Sequence, residues 1–347
     1  MTYLFHLGHP AHFHLFRHII KKLKNDNIQI IITIKEKDVL LDLLNSENWE
    51  YYNILPESNN QSNNLLSNFL YKSKMLNKII KKYNPKLLIG TSAEIGIIGQ
   101  LNSLKSIIVN EDDWNQVLLF SLISYPFAYK IIAPESCSVG PWNYKKISYK
   151  GYHELTYLSP KYFIPDKNKI LSLYNDRERY FIIRLAKLTA HHDYGKIGLN
   201  NHIVKKIISI LEPHGQIHIS SERKLDKFLE RYKIKLVPSD IHHALYYSDL
   251  YIGDSQTMAA ESAVLGTPSI RFNDFVGKLG YLEELEYKYR LTFGIKTKDE
   301  ELLFKKITEL VNNLDNKMII EDRKIKMLEE QIDVNDFFYK YLKSLFS

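Results

Sequence analysis

The segment DSQTMAAESAVLGTPSI, from Asp254 to Ile270, combines a short polar turn with a helix of small residues that ends before a new strand. Backbone N–H groups at the start of a helix favour an anion, and Ser255 and Thr257 add hydroxyl groups there. Glu261 follows one to two turns later, where a carboxylate can accept hydrogen bonds from ribose hydroxyls. The segment therefore predicts a phosphate-and-sugar site with a nucleotide as its ligand. The alternative is that Asp254 or Ser255 only caps a packed helix.

Three successive carboxylates, Glu111, Asp112 and Asp113, follow the predicted strand 106–109. A carboxylate at a strand end can act as a general base, and its pKa rises when a site closes over it. We therefore predict Glu111 or Asp112 as the base. The alternative is that these residues form an acidic N-cap for the next helix.

Histidines cluster just after the first predicted strand, in the sequence Gly8-His9-Pro10-Ala11-His12. Gly8 permits close approach of a ligand to the backbone, and His12 is a further candidate base. The alternative is that the histidines shape the entry of the following helix. The segment lacks GxGxxG, so no NAD fingerprint is present, and no acidic residue joins the histidines to suggest a metal site.

Cationic residues follow the first strand of the second half of the chain. Arg184 and Lys187 can neutralise a diphosphate, and His192 can exchange protons near neutral pH. The alternative for His192 is a surface loop. Pro238 ends the segment Lys235-Leu236-Val237, where exposed backbone can contact the edge of a nucleotide base.

Short apolar segments alternate with amphipathic segments along the chain. Runs rich in Ile, Leu and Val predict buried parallel strands at 3–7, 29–34, 87–90, 106–109, 130–133, 180–184, 216–219, 250–253 and 269–272. Helical spacing predicts helices that include 12–25, 36–44, 65–83, 198–211, 224–232, 241–247 and 298–314. This alternation predicts an α/β protein with two doubly wound Rossmann-type domains facing a central cleft.

Irregular sequence around Pro160 and Pro165 predicts a linker between the domains. We expect one domain over residues 1–160, a second over 161–318, and C-terminal helices over 319–347 that pack back across the junction. Ligands of such sheets bind beyond the carboxyl ends of the strands. The candidate residues above all lie on, or just beyond, loops that follow predicted strands or precede helices.

Composition excludes several classes of protein. The single cysteine, Cys137, excludes an internal disulfide framework and a cysteine-rich metal cluster. The start, MTYLFHLGHP, resembles neither a signal peptide nor a membrane span, so we expect a cytoplasmic protein. The net charge of +7 is spread over amphipathic segments, which argues against nucleic acid as a partner. The lysines of the predicted helix 65–83 suggest peripheral contact with an anionic membrane; they are Lys72, Lys74, Lys78, Lys81 and Lys82.

The segments LGHPAHFHLFR, YKGYHELTYL, IIRLAKLTAHHDYG and SDIHHALYYSDLYIGDSQTMAAESAVLGTPSIRFN, in this order, resemble an uncharacterised prokaryotic family with a predicted GT-B fold. That family is distantly similar to UDP-N-acetylglucosamine 2-epimerases and GT-B glycosyltransferases. The resemblance spans nearly the whole chain. It implies that the first domain binds the acceptor and the second binds a nucleotide sugar, most often a UDP sugar.

The resemblance also assigns residues. The epimerase motif Asp-Ser-Gly-Gly with a following Glu, which binds the UDP phosphates and ribose, matches Asp254, Ser255 and Glu261, while Gln256 and Thr257 replace its two glycines. From the arguments on residue type and position above, we predict that Gly8, His9, Arg184, Lys187, His192 and Pro238 join them as nucleotide-sugar contacts. Glu111 matches an epimerase carboxylate. However, the Gly-Asp of a preceding epimerase loop is Gly90-Thr91 here, which removes an acid that epimerisation requires.

A glycosyltransferase needs one base and stabilisation of a departing diphosphate. We therefore predict a GT-B glycosyltransferase of cell-surface polysaccharide or glycolipid assembly that uses a nucleotide sugar and acts on a glycan or lipid-linked acceptor. No Asp-x-Asp signature is present, so we expect a metal-independent, inverting reaction without a cofactor. A nucleotide-sugar epimerase or hydrolase and a non-catalytic nucleotide-sugar binding protein are the alternatives.

Overall fold

Residues 1–37, 39–56, 65–173, 179–187, 198–313 and 316–346 are described by a computed structural model. Its residue contacts divide the chain into two units. The first unit comprises Met1–Tyr157 with Ile332–Ser347, and the second comprises Leu158–Gln331. The divisions lie at 157/158 and 331/332, compared with predicted domain boundaries at 160/161 and 318/319.

The first unit is built on a parallel sheet of seven strands. The strands are β1 (Thr2–Leu7), β2 (Gln29–Lys35), β3 (Tyr52–Leu55), β4 (Leu87–Gly90), β5 (Lys105–Val109), β6 (Lys130–Pro134) and β7 (Lys146–Tyr149). Their order is β3-β2-β1-β4-β5-β6-β7, with Tyr3 opposite Ile30 on one side and Leu87 on the other. The order reverses between β1 and β4, and the loops after these two strands therefore flank the switch point where ligands of such sheets bind.

The strand predictions for this unit hold for its five central strands, which are buried on both faces and read as continuous apolar runs. The edge strands β3 and β7 were not predicted. Their sequences, YNIL and KISY, are only partly buried and mix polar with apolar residues. Such edge strands lack the apolar signal of central strands.

Helices cover this sheet, and the last of them comes from the end of the chain. They are α1 (Pro10–Asn25), α2 (Leu40–Ser46), α3 (Leu65–Tyr83), α4 (Ala93–Leu101), α5 (Leu118–Ser124), the short α6 (Leu155–Leu158) at the unit boundary, and the last helix, α13 (Val334–Ser344). Helix α13 packs on α1, where Asp336 lies 3.0 Å from Lys22. The chain thus returns to its first unit, while α12 (Asn316–Glu330) belongs to the second.

The second unit has a parallel sheet of five strands in the order β12-β11-β10-β8-β9. The strands are β8 (Tyr180–Leu185), β9 (Gln216–Ser221), β10 (Leu250–Gly253), β11 (Ser269–Phe272) and β12 (Thr292–Ile295). The switch point falls between β8 and β10, so the loops after these strands flank it. The prediction of doubly wound parallel sheets is therefore confirmed for both units.

The helices of the second unit include the one that begins just after β10. They are α7 (Asn201–Leu211), α8 (Ile241–Tyr247), α9 (Gln256–Leu265), α10 (Gly280–Glu283), which continues into a π-helical turn (Glu284–Lys288), α11 (Glu300–Asn312) and α12. The predicted helix 224–232 is wrong, because only a 3₁₀ turn forms there, at Glu230–Tyr232. Leu225 and Leu229 of this segment are buried. Their helical spacing therefore arises because both leucines anchor a loop to the core.

Candidate functional site

The switch point of the first sheet is lined by the loop that enters α1. His9 is the N-cap of this helix, and its Nδ1 accepts a hydrogen bond from the backbone N–H of Ala11 at 3.1 Å. The N–H of Gly8 donates to His12 Nδ1 at 3.0 Å, and Thr91 Oγ1, in the loop after β4, lies 2.7 Å from Nδ1 and 2.8 Å from Nε2 of the same ring. His12 therefore bridges the two loops of the switch point, and His9 shapes the helix entry.

Burial lowers the pKa of His12 well below its ordinary value, and the charges of His9, His6 and His153 lower it further. His12 is therefore neutral at pH 7. The mutual influence also shows that His153 shares this neighbourhood. Within the described residues, no group of three or more His, Cys, Asp or Glu side chains is arranged to bind a metal ion.

Glu111 lies in the loop after β5 and contacts His153 in the loop after β7. Its Oε2 accepts a hydrogen bond from the backbone N–H of His153 at 3.3 Å and lies 3.3 Å from Nδ1 of the same residue. Both side chains are largely buried, with exposed fractions of 16% for Glu111 and 11% for His153. The carboxylate thus lies on the Nδ1 side of the imidazole, where it favours a proton on Nδ1 and a lone pair on Nε2.

The second ring nitrogen of His153 has a different environment from Nδ1. His153 Nε2 is buried and has no hydrogen-bond partner among the described residues. Burial lowers the pKa of His153 to about 4, although the carboxylates of Glu154 and Asp112 oppose this shift. At pH 7 the ring is therefore neutral and able to accept a proton at Nε2.

The remaining residues of the acidic loop are held by local hydrogen bonds. Asn110 Nδ2 donates to the backbone oxygen of Asp112 and to the hydroxyl of Tyr125, both at 2.8 Å. Asp113 Oδ1 accepts from the N–H of Ser138 at 2.7 Å. The alternative role of these carboxylates as a helix cap is wrong, because α5 begins later and its N-cap is Val117.

In the second unit, the start of α9 lies beside the switch point of the sheet. Ser255 is its N-cap, and Ser255 Oγ accepts a hydrogen bond from the N–H of Met258 at 3.4 Å. Gln256 Nε2 donates to Asn273 Oδ1 at 2.7 Å, and Thr257 is half-buried in the first turn. Since every residue from Met258 to the end of α9 is buried, only this first turn of the helix is open to a ligand.

Asp254 is buried and turned towards the backbone of neighbouring loops. Its Oδ1 accepts from the N–H of Ala186 at 2.6 Å, and its Oδ2 accepts from the N–H of Leu199 at 3.2 Å. Burial raises the pKa of Asp254 to about 6, against these hydrogen bonds and the charge of Arg223. The carboxylate therefore positions the loop after β8, and it aims at protein backbone.

Of the predicted cationic residues, Arg184 lies near the end of β8 and Lys187 on the loop that follows. Arg184 Nη1 donates to Ser220 Oγ at 2.6 Å, and its Nη2 pairs with Glu222. Lys187 is exposed, and its N–H donates to Glu222 Oε2 at 3.0 Å. Arg184 is therefore partly neutralised, whereas the ammonium of Lys187 is directed to solvent. His192 lies outside the described residues.

Two other predicted residues lie apart from the first turn of α9. Glu261 is buried farther along the helix, where its Oε1 lies 3.0 Å from Nε2 of His242, on α8. Pro238 is exposed and opens the 3₁₀ turn Pro238–Asp240 that leads into α8. The His242–Glu261 pair is a second buried contact between a histidine and a carboxylate in this protein.

Sequence reasoning did not select three residues of these sites: His153, His242 and Asn273. His153 and His242 lie within segments that carried the family resemblance, YKGYHELTYL and SDIHHALYY, but their partners are distant in the chain. Asn273 is fully buried and donates to the backbone oxygen of Asp254 at 3.3 Å. Asn273 could have been selected from the sequence because it is a polar residue directly after an apolar strand.

Solved structures identify the class of this fold. A provisionally assigned UDP-N-acetylglucosamine 2-epimerase from Listeria monocytogenes matches with a TM-score of 0.70 at 13% identity, over 100% of this chain and 96% of that one. The UDP-GlcNAc 2-epimerase from Neisseria meningitidis, bound to UDP-GlcNAc, gives 0.61 at 14%, over 94% and 100%. A spinosyn rhamnosyltransferase complexed with spinosyn aglycone gives 0.65 at 9%, over 100% of both chains. At these identities the likeness shows the fold, and the predicted GT-B-like class is confirmed.

The chain belongs to the family described as "Protein of unknown function (DUF354)", whose model matches residues 4–336. The predicted membership of an uncharacterised family with a GT-B-like fold is thereby confirmed. Among curated proteins, none matches the chain in sequence.

Proposed function

We propose that the protein is a glycosyltransferase that uses a nucleotide sugar and takes a proton from its acceptor through the Glu111–His153 pair. The single observation that carries this proposal is the buried Nε2 of His153, which has no partner among the described residues, while Nδ1 lies 3.3 Å from a carboxylate oxygen of Glu111. A carboxylate that orients a neutral imidazole is an arrangement suited to general base catalysis. Glu111 was predicted as the base itself, and here it has the role of a positioning group.

The donor is proposed to bind the second unit at the first turn of α9. The N–H groups of this turn and the helix dipole favour the diphosphate, and Thr257 contributes a hydroxyl. The exposed ammonium of Lys187 adds positive charge. Asp254 and Asn273 support this role by fixing the loops around the turn.

The proposed reaction is a direct displacement. The acceptor hydroxyl transfers its proton to His153 Nε2, its oxygen forms a bond to the anomeric carbon, and the bond from that carbon to the diphosphate breaks. The nucleoside diphosphate leaves with the electron pair, and Glu111 stabilises the imidazolium that forms. A single displacement inverts the anomeric carbon. We propose a UDP-linked donor, a glycan or lipid-linked acceptor, a role in cell-surface polysaccharide or glycolipid assembly, and no metal in the reaction.

The test begins with a panel of nucleotide sugars, each incubated with the protein and followed by NMR, first alone and then with mixed glycan and lipid-linked acceptors. We expect line broadening of one donor without acceptor, and release of its nucleoside diphosphate once an acceptor is present. His153→Gln should lower turnover by about 10²–10⁴-fold while donor binding is retained. Glu135→Gln, at an exposed carboxylate, is the control. Donor binding without turnover with any acceptor would instead support a non-catalytic binding protein.

A second candidate function is epimerisation of a nucleotide sugar, and the His242–Glu261 pair favours it. Removal and return of the proton at C2 requires two acid–base groups, and this pair would add one on the second unit. Incubation of the donor in D₂O without acceptor separates the candidates. An epimerase incorporates deuterium at C2, whereas a transferase leaves that carbon unlabelled.

A further inference from the structure

Helix α5 has the reverse of the usual distribution of polar and apolar residues. Its two serines, Ser121 and Ser124, are fully buried. Its outward face carries Leu118, Leu119, Leu122 and Ile123, which are between 37% and 60% exposed. Amphipathic helices of globular proteins bury their apolar face. The exposed face of α5 therefore points to a partner that the isolated chain lacks.

The buried serines have a packing reason of their own. Ser124 Oγ donates to the backbone oxygen of Phe120 at 2.7 Å, and Ser121 Oγ donates to that of Trp114 at 3.2 Å. Helix α4 approaches so closely that a Cβ on Gly96 would lie 2.7 Å from the backbone oxygen of Ser124. Only small residues fit between these helices, so Leu118, Leu119, Leu122 and Ile123 are directed outwards, whereas Phe120 packs against the core.

The apolar surface continues beyond the end of α5. Residues three and four apart are neighbours on a helix, so Leu118, Leu119, Leu122 and Ile123 form one continuous face. Phe127 follows in the next turn, where its N–H donates to the backbone oxygen of Ser124, and it is 40% exposed. Tyr129 and Tyr144, 44% and 71% exposed, extend the exposed aromatic surface of this part of the chain. Tyrosines are enriched where an apolar phase meets water.

Lysines border this surface. Lys105 Nζ lies 5.6 Å from the ring centre of Tyr129. Lys145 Nζ donates to the backbone oxygens of Tyr125, Pro126 and Ala128, at 3.2, 2.6 and 2.8 Å. Burial, together with the charge of nearby Lys130, lowers the pKa of Lys145. Residues 114–134 contain no Asp or Glu. The apolar face is therefore bordered by positive charge, of which Lys130 is a partly exposed member, while backbone oxygens hold the ammonium groups of Lys105 and Lys145.

We propose that the face of α5, together with Phe127, docks the protein on an anionic lipid bilayer. Leucine and phenylalanine side chains would enter the boundary between headgroups and acyl chains, while Lys130 meets anionic headgroups and the other bordering lysines add to the positive potential. None of the helices within the described ranges combines the length and apolar character needed to cross a bilayer. The contact is thus peripheral. It goes beyond the proposed reaction and does not depend on it.

This surface differs from the one that the sequence suggested. Helix α3 exposes lysines, but its exposed large apolar residues are Leu70 and Tyr71 within the described part of the chain. Lys72 is not available, because its Nζ pairs with the buried carboxylate of Glu94. Helix α3 thus offers charge without an apolar face, whereas α5 offers both.

A second copy of the chain is a less suitable occupant. A two-fold dimer places the same face of each copy together, so the lysines bordering α5 would meet their own counterparts. Repulsion between these charges opposes that arrangement, whereas an anionic surface neutralises them.

The test is flotation of the full chain with vesicles of equal parts phosphatidylglycerol and phosphatidylcholine, and with phosphatidylcholine alone. We expect flotation with the anionic vesicles that weakens with salt. The double variant Leu119→Gln/Leu122→Gln should lower the partition coefficient by about tenfold or more, since each leucine loses burial in lipid. Lys130→Gln should lower it by about fivefold on anionic vesicles. The matched control is Leu171→Gln/Leu302→Gln, at leucines that are 67% and 50% exposed in the second unit.

Three results would overturn the proposal. The first is no flotation at low salt, and the second is unchanged flotation of the Leu119/Leu122 variant. The third is a parent protein that does not float but forms a concentration-dependent dimer in sedimentation, when the variant forms no dimer. A second measurement does not depend on loss of binding. An environment-sensitive dye on Leu122→Cys should shift to the blue when vesicles are added, and the same dye on Leu302→Cys should not. Equal spectra at the two positions would also exclude insertion of α5.

Discussion

Asp254 accepts a 2.6 Å hydrogen bond from the backbone N–H of Ala186, so that the residue after β10 fixes the loop after β8. The same carboxylate accepts from Leu199 at 3.2 Å. These contacts join the two loops that flank the switch point of the second sheet. The geometry of the candidate donor site therefore depends on a residue that binds protein backbone.

We expect Asp254→Ala to lower the free energy of unfolding by about 2–4 kcal/mol, because two buried N–H groups lose their acceptor. Urea unfolding, followed by circular dichroism, measures the change. Asp322→Ala, at an exposed aspartate of α12, is the control and should change stability by less than about 0.5 kcal/mol. Equal effects of the two substitutions would contradict the assigned role of Asp254.

Asp254 also predicts a dependence of stability on pH. Burial raises its pKa to about 6 from 3.8, so the folded state holds a proton between these values that the unfolded state has released. Stability conferred by this group is therefore greatest near pH 4, falls as pH rises to about 6, and is constant above that, with a total of roughly 3 kcal/mol. Subtracting the pH profile of Asp254→Asn from that of the parent protein isolates this change. A difference that is flat from pH 4 to 7 would contradict it.

Arg271 is fully buried in β11 and contacts two carboxylates. Its Nη2 lies 2.5 Å from Glu286 Oε2 and 3.3 Å from Glu283 Oε1. We expect Arg271→Met to cost about 3–5 kcal/mol at pH 8, because it leaves these carboxylates together without a cation. Burial raises the pKa of Glu286, and the charge of Arg271 opposes this shift. Without Arg271, Glu286 should therefore bind a proton more readily, and the variant should lose less stability at pH 5 than at pH 8.

The control for Arg271 is Arg231→Met, at an arginine that is 60% exposed and 3.5 Å from Glu212. Exposed pairs contribute about 0–1 kcal/mol. Urea titrations of both variants at pH 5 and pH 8 make the comparison. A loss for Arg271→Met that is equal at both pH values would show that the carboxylates remain charged.

The Glu111–His153 pair predicts non-additive kinetics. If the carboxylate acts only by orienting the imidazole, the double variant Glu111→Gln/His153→Gln should be about as slow as His153→Gln alone. Turnover of the donor identified in the NMR panel gives the three rates. Multiplicative losses would indicate that Glu111 and His153 act separately, and an active His153→Gln with an inactive Glu111→Gln would return the role of base to Glu111.

The buried central strands followed from the sequence, whereas the buried helix α4 was not predicted. Strands such as β1 and β10 are apolar throughout because helices cover both faces of the sheet, and this signal is local in sequence. The edge strand β7 lacks it, since one side meets solvent. The predicted helix 224–232 failed for the opposite reason, because two buried leucines at helical spacing anchor a loop.

The sites were less predictable because their contacts join distant segments. Glu111 was selected as a strand-end carboxylate, but its partner His153 lies 42 residues away and no local pattern connects them. The direction of the Asp254 side chain was likewise not encoded locally. A strand-end carboxylate can face a ligand or neighbouring backbone, and only the loops around it decide which.

The return of α13 to the first unit has a consequence for synthesis of the protein on the ribosome. Asn335 donates to the backbone oxygen of Thr156 at 2.7 Å, and Phe338 packs edge-on against Tyr149. The surface that these residues cover belongs to the first unit and is translated early, whereas α13, which covers it, is translated only after the whole second unit. The half of the protein that begins first must therefore finish last, and until then the nascent chain has to keep an apolar surface of its first unit from aggregating.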